Sequence, residues 1–177
     1  MAESNRNVWA PWRMEYIVSV GGGEGEAGCF LCRYAAEPQA DAANHVVLRT
    51  PRTLVLLNRF PYTNGHLMIA PLVHVADPAE LGEDVLIELA LRLRDAKRLL
   101  DQALSPQGYN IGMNLGRCAG AGLPEHLHWH VVPRWGGDTN YMSVVGDTRV
   151  IPQALEGTYA QLCQAAARLG LPMATMS

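Results

Sequence analysis

The sequence predicts an α+β fold: an antiparallel five-stranded sheet with one long helix and one C-terminal helix. Short β-rich runs follow one another across turn signals, as sequential hairpins do. A long amphipathic stretch separates the third run from the fourth, and a shorter helical stretch closes the chain. Strands, long helix, strands, short helix is the order of an α+β sheet rather than of a parallel one.

Residues 30–37 predict a short helix carrying Cys32, and residues 41–44 a turn. Val46–Arg49 and Thr53–Asn58 read as strands around a Thr50-Pro51-Arg52 turn. Pro61-Tyr62-Thr63-Asn64-Gly65 carries strong turn signals, and His66–Pro71 reads as the third strand. Asp77-Pro78 predicts the start of the long helix, with Asp at the N-cap and Pro at the first helical position. Leu81, Val85, Leu89, Leu93, Ala96 and Leu100 give that helix an apolar stripe, read as core. Tyr109–Leu115 predicts strand four, 116–122 a glycine-bearing loop, and Leu127–Val132 strand five. The last helix is expected over Pro152–Leu169. Residues 29–170 are expected to form a single domain, after an N-terminal extension and glycine-rich linker (1–28) and before a tail (171–177). The aromatic-rich segment Trp9–Ile17 in that extension is expected to pack on the body or on a partner subunit.

The 177 residues suffice for one domain with a core, and 49% hydrophobic with 18% charged is globular composition. A net charge of −3 and a pI near 6.0 argue against broad nucleic-acid binding while allowing a small anionic ligand at a local site. No apolar run approaches the roughly 20 residues of a membrane span. The N-terminus lacks a signal-peptide core, so a cytoplasmic protein is expected. In that setting Cys29, Cys32, Cys118 and Cys163 do not suggest a disulfide framework. Cys29-Phe30-Leu31-Cys32 follows a glycine-rich linker rather than a strand, which favours metal binding over thioredoxin-like redox chemistry.

The chemistry concentrates in His126-Leu127-His128-Trp129-His130-Val131-Val132. On a strand, alternate residues share a face, so three imidazoles would line one surface while Leu127, Trp129 and Val131 turn to the core. Neutral imidazole can attack phosphorus, bind a metal or carry a proton near neutral pH. The loop just upstream holds Gly116, Gly120 and Gly122, and such loops let backbone N–H groups approach an anion. A nucleophilic imidazole beside an anion cradle suits displacement at phosphorus.

These residues resemble the signature of the histidine triad (HIT) superfamily of nucleotide hydrolases and transferases: three histidines alternating with apolar residues and followed by two more. Asn64–Pro71 is similar to the family's Gly-His strand, and Asn110–Gly116 to its phosphate-side strand, so the resemblance covers roughly residues 29–150. Trp9-Ala10-Pro11-Trp12-Arg13 and Pro133–Asn140 resemble the bacterial diadenosine tetraphosphate phosphorylase-like branch.

The resemblance implies a nucleotidyl-histidine mechanism on the α-phosphate of a dinucleoside polyphosphate. His128 would be the nucleophile, and His130 would bond phosphate or leaving-group oxygens. His126 would adjoin the nucleophile, and His66 would support the triad. Asn58 matches a ribose-binding position and Asn114 a phosphate-side one, with the backbone of Gly120, Ala121 and Gly122 completing the nucleotide site. The loop departs from the family in lacking the Gln and Ser or Thr donors that often precede the first histidine. Cys29, Cys32, His74 and His126 resemble the ligand set of zinc-bearing members, which implies a structural Zn²⁺. The alternative is free thiols at Cys29 and Cys32 with His74 a surface residue. A two-fold dimer joined through sheets and long helices is also implied. Hydrolysis of dinucleoside polyphosphates or nucleoside phosphoramidates, a nucleotide-binding module with little turnover, and a metal-binding protein using all three triad histidines stand as rival readings.

Overall fold

A computed structural model describes residues 28–139 and 151–174. The expectations for Trp9–Ile17 and the glycine-rich linker lie outside the described residues. The elements run α1 (Phe30–Ala36), β1 (Val46–Arg49), β2 (Thr53–Leu57), β3 (Leu67–Pro71), α2 (Glu83–Leu104), β4 (Gly108–Met113), β5 (Trp129–Arg134) and α3 (Leu155–Leu169). The five strands form one antiparallel sheet in the order β1-β2-β3-β5-β4. This is the α+β sheet that the hairpin pattern predicts.

The central strands read as unbroken apolar runs because both their faces are covered. On one side, Val55, Leu57, Leu67, Ile69 and Val131 meet Leu89, Ala96, Leu99 and Leu100 of α2 and Leu162, Ala165 and Ala166 of α3. On the other, Leu54, Leu56, Met68 and Ala70 meet Leu31 and Tyr34 of α1 and Ala174. The alternation of 54 and 56 against 55 and 57 follows the two-residue period of a strand. β1 breaks it: its register shifts between Val46 and Leu48, so Val47 and Leu48 both enter the helix side. Each such buried Leu or Ile stabilises the fold by roughly 1.5–3 kcal/mol.

Asp77 does cap a helical turn, with Pro78 following it, but that turn is a separate 3₁₀ piece over Pro78–Glu80. Asp77 accepts from Ala79 N–H while Glu80 accepts from Asp77 N–H, which closes the turn on itself. Leu81 then leaves helical geometry, and Gly82 caps the start of α2 at Glu83. Glu83 and Asp84 supply the acidic first turn that favours a helix N-terminus. α3 likewise starts at Leu155, three residues inside the expected boundary.

Two packing features fix the elements that carry the site. Asp41, fully buried, takes two bonds from Arg49, at 2.5 Å from Nη2 and 2.7 Å from Nε. The same guanidinium donates to the carbonyls of Tyr34 and Ala35, capping α1 and pinning it to β1. Gly65, just before His66, has φ +77° and sits against α2. A Cβ there would collide with Leu104 Cδ1 and press within 3.2 Å of Leu100 Cδ2. Gly65→Ala is expected to cost about 2–4 kcal/mol from overpacking plus left-handed strain. Urea denaturation would read this as a lower midpoint with an unchanged slope.

Candidate active site and adjoining metal centre

β5 begins at Trp129, so His126 and His128 precede the strand instead of lying within it. The reason is the neighbour. Ile69 pairs with Trp129, which sets Pro71 opposite residue 127, and proline has no N–H to extend the ladder. Leu127 N–H turns instead to Val75 O at 2.6 Å. Leu127 and Val131 still face the core, with Trp129 packed at its edge. The three imidazoles do not line one flat surface; they divide between two adjoining sites.

His126 is fully buried and aims Nε2 at Pro71 O, 2.9 Å away. A carbonyl can only accept, so Nε2 carries the proton and Nδ1 offers its lone pair. That Nδ1 lies 3.1 Å from Cys29 Sγ and 3.5 Å from Cys32 Sγ. His74 Nδ1 lies 3.1 Å from Cys32 Sγ, with its ring edge-on to His126. The four ligand atoms all fall within 4.8 Å of one another. Tetrahedral zinc spaces its sulfur and nitrogen ligands about 3.5 Å apart. Two sulfurs, two ring nitrogens and that spacing fit a closed tetrahedral site.

His128 is buried beside this centre. Its Nδ1 lies 2.9 Å from the His126 carbonyl and donates to it, which leaves Nε2 unprotonated. Burial pushes the His128 pKa down and keeps the ring neutral. The His130 ring stands edge-on to it, 4.9 Å between centroids. His130 Nδ1 lies 3.0 Å from Nε2 of the fully buried His66. Burial first, and the neighbouring His128 second, bring the His130 pKa down to about 4.

Asn58 lies just beyond β2, where its side chain reaches Phe60 N–H and His66 Nδ1. Asn114 follows β4 and is half-exposed. Gly116 and Gly120 both take positive φ around a 3₁₀ turn, Arg117–Ala119. The Gly120 N–H closes that turn on Arg117 O at 3.0 Å. Glu125 is exposed to solvent. One contributor escaped the sequence reading. Tyr62 lays its ring 4.6 Å from His66 and 5.8 Å from His130, and its backbone N–H donates to His66 Nδ1. The signal was its place four residues before His66, in a segment read only as a turn.

The low His130 pKa carries a signed prediction. Between the unfolded value near 6.5 and the folded value near 4, the unfolded chain binds more protons. The contribution of His130 to stability is therefore whole above about pH 6.5 and is lost as pH falls toward 4. An NMR titration is expected to show His130 inflecting near pH 4, and an inflection near 6.5 would contradict it.

A HIT-domain family model matches residues 39–137. The chain is 37% identical over 156 residues to a Mycobacterium tuberculosis protein named AP-4-A phosphorylase, which covers 86% of this chain and 80% of that one. It is 24% identical over 106 residues to an adenosine 5'-monophosphoramidase of Schizosaccharomyces pombe, covering 60% of this chain and 74% of that protein. Among solved structures, a zinc-bound histidine triad family protein from Mycobacterium smegmatis superposes with a TM-score of 0.64 at 27% identity, over 81% of this chain and 98% of that one. With a domain match over more than half its length and a relative this similar across most of it, the chain belongs to the HIT (histidine triad) family.

Proposed function

We propose that this HIT-family enzyme is a nucleotidyl transferase that splits dinucleoside polyphosphates by phosphorolysis, with His128 as the nucleophile. One observation carries the reading: the His126 carbonyl holds the proton on Nδ1 of the buried His128, which leaves Nε2 bare on a ring beside His130. Likeness to a protein named AP-4-A phosphorylase supports the substrate class.

In the first step the Nε2 lone pair of His128 forms a bond to the α-phosphorus. The P–O bond to the polyphosphate breaks, and its electron pair leaves on oxygen. His130 donates a hydrogen bond to that oxygen or to a phosphate oxygen, and His66 supports His130. In the second step an oxygen of inorganic phosphate attacks the same phosphorus, breaks the P–N bond and releases a nucleoside diphosphate. From diadenosine tetraphosphate the products are ATP, then ADP.

Asn58, Asn114 and the backbone of Gly120, Ala121 and Gly122 surround the nucleotide in this reading. The Gly120 N–H is taken up by the turn, so Ala121 and Gly122 would supply the amides for phosphate in this reading. Cys29, Cys32, His74 and His126 would hold a structural zinc, which supplies rigidity beside the nucleophile.

Residues 29–170 act as one cytoplasmic domain in this proposal, working as a homodimer without nucleic acid or membrane. No helix among the described residues is long and apolar enough to cross a membrane. Exposed Leu86, Ile87 and Leu91 on α2, with Ile111 on edge strand β4, support the dimer. A monomer at micromolar concentration on size exclusion would reject it.

The purified protein with diadenosine tetraphosphate should give ADP plus ATP only when millimolar phosphate is present. AMP plus ATP without phosphate would make it a hydrolase. Turnover of adenosine phosphoramidate alone would favour the second reading, which the Schizosaccharomyces pombe likeness supports.

A further inference from the structure

We propose that Asn110 is a specificity-determining residue that binds the far end of the polyphosphate and makes the site favour a long leaving group. This rests on the nucleotidyl-transfer reading, with His128 as nucleophile and His130 at the departing oxygen.

The register of the sheet sets the direction in which a leaving group runs. Residues directly opposite in an antiparallel pair share a face. His130 of β5 opposes Gly112 of β4, and Val132 opposes Asn110. Alternate residues of a strand also share a face, so these four stand together on one side of the sheet. Trp129 and Val131 take the other side, against the core. The step from His128 to His130 points along β5 toward Val132. His130 turns Nδ1 to His66, so its other nitrogen faces away from β3. On that side of β5 lies β4. A leaving group that starts at His130 and keeps its direction next meets Asn110. The way there is open, since a Cβ on Gly112 would meet no atom within 4 Å. Asn110 is level with the fourth residue beyond His128, roughly 13 Å along the strand. That distance is too great for the reacting phosphate and suits the far end of a polyphosphate chain.

The amide of Asn110 is already oriented for such a ligand. Arg134 Nη1 donates to Asn110 Oδ1 at 2.5 Å. A guanidinium carries donors only, so the oxygen must face it and Nδ2 must turn outward. Asp138 holds the other edge of the same guanidinium, 2.5 Å from Nε and 2.8 Å from Nη2. The fork fixes Arg134, and Arg134 fixes the amide. Asn110 is exposed, and among the described residues nothing accepts from its Nδ2. Phosphate oxygens are acceptors, so a fixed outward donor recognises them. Asp138 balances the charge of Arg134, which leaves the amide as the recognising group.

The test compares metal-loaded wild type, Asn110→Ala and Asn110→Asp on diadenosine tetraphosphate and on adenosine phosphoramidate. The two substrates share the nucleotidyl half, and only the first has a leaving group that reaches residue 110. In Asn110→Ala, kcat/KM for the tetraphosphate is expected to fall roughly tenfold, chiefly through KM. For the phosphoramidate the loss should stay under about threefold. Asn110→Asp keeps the bond from Arg134 but turns an anionic acceptor outward, and should lose roughly 10²-fold on the tetraphosphate. Equal losses on both substrates would make residue 110 a structural support and overturn the proposal, as would no loss on either. Calorimetry supplies a readout that needs no turnover. Asn110→Ala should weaken a methylene-bridged diadenosine tetraphosphate roughly tenfold in Kd and AMP by less than about twofold. An analogue bound alike by wild type and Asn110→Ala would overturn the proposal. Absence of turnover in the wild type would sink the nucleotidyl-transfer reading, while the two Kd values would still decide the role of Asn110.

Discussion

His128→Ala is expected to abolish turnover of dinucleoside polyphosphates, with kcat down on the order of 10⁴-fold or more. The substitution removes the ring nitrogen that a fixed bond from Nδ1–H to the His126 carbonyl leaves bare. Without that nitrogen no bond to phosphorus forms, and the two-step route closes. Removing the ring also leaves the His126 carbonyl without its donor, at about 1–2 kcal/mol. That cost is small beside a folded domain's stability, so the variant should fold. Circular dichroism and nucleotide binding, both kept near wild type, would separate lost chemistry from lost structure. Mixing with α-³²P-labelled substrate should label wild-type protein on a histidine and leave the variant unlabelled. Turnover within tenfold of wild type would remove His128 as nucleophile.

The second large effect concerns the metal centre. Cys29→Ser with Cys32→Ser is expected to reduce bound zinc from one per chain to none by elemental analysis. It should also lower stability by about 3–5 kcal/mol relative to the zinc-loaded protein. The magnitude follows from connectivity. Cys29 and His126 lie 97 residues apart, so one ion bridging them closes a very long loop of the unfolded chain. Strong chelation of the wild type should reproduce the loss in the thermal midpoint, and zinc should restore it. Activity should fall far less than in His128→Ala, because the centre contributes rigidity and no reacting atom. Denaturation midpoints that are the same with and without zinc would show that these four residues hold no structural ion.

Much of this was legible in the sequence. Thr53–Leu57 and Leu67–Pro71 are runs of β-forming residues bounded by Gly, Pro and Asn, and each became a strand within a residue of its expected limits. The Cys-x-x-Cys pair, His74 and His126 converge as the zinc resemblance implied. What escaped was set by partners distant in sequence. The late start of β5 depends on Pro71, which lies 58 positions before Trp129 and meets it only through the sheet register. The break between the 3₁₀ turn and α2 depends on Leu81 and Gly82, where a continuous apolar stripe disguises a change of backbone. The amide of Asn58 could be placed only once Phe60 and His66 were seen on either side of it.

The clamp of Arg49 on Asp41, Tyr34 O and Ala35 O has a consequence for how the metal is acquired. It fastens α1 to β1 through groups that include none of the four metal ligands. Buried Leu31 and Tyr34 reinforce the attachment on the sheet side. Cys29 and Cys32, at the start of that helix, are therefore held near His126 by contacts independent of an ion. His74, the exposed ligand, lies on the solvent side of the set. Zinc would enter a standing receptacle from the solvent rather than condense a disordered chain around itself. Calorimetry should show a heat-capacity change near that of ligand exchange alone, without the large negative value that accompanies coupled folding.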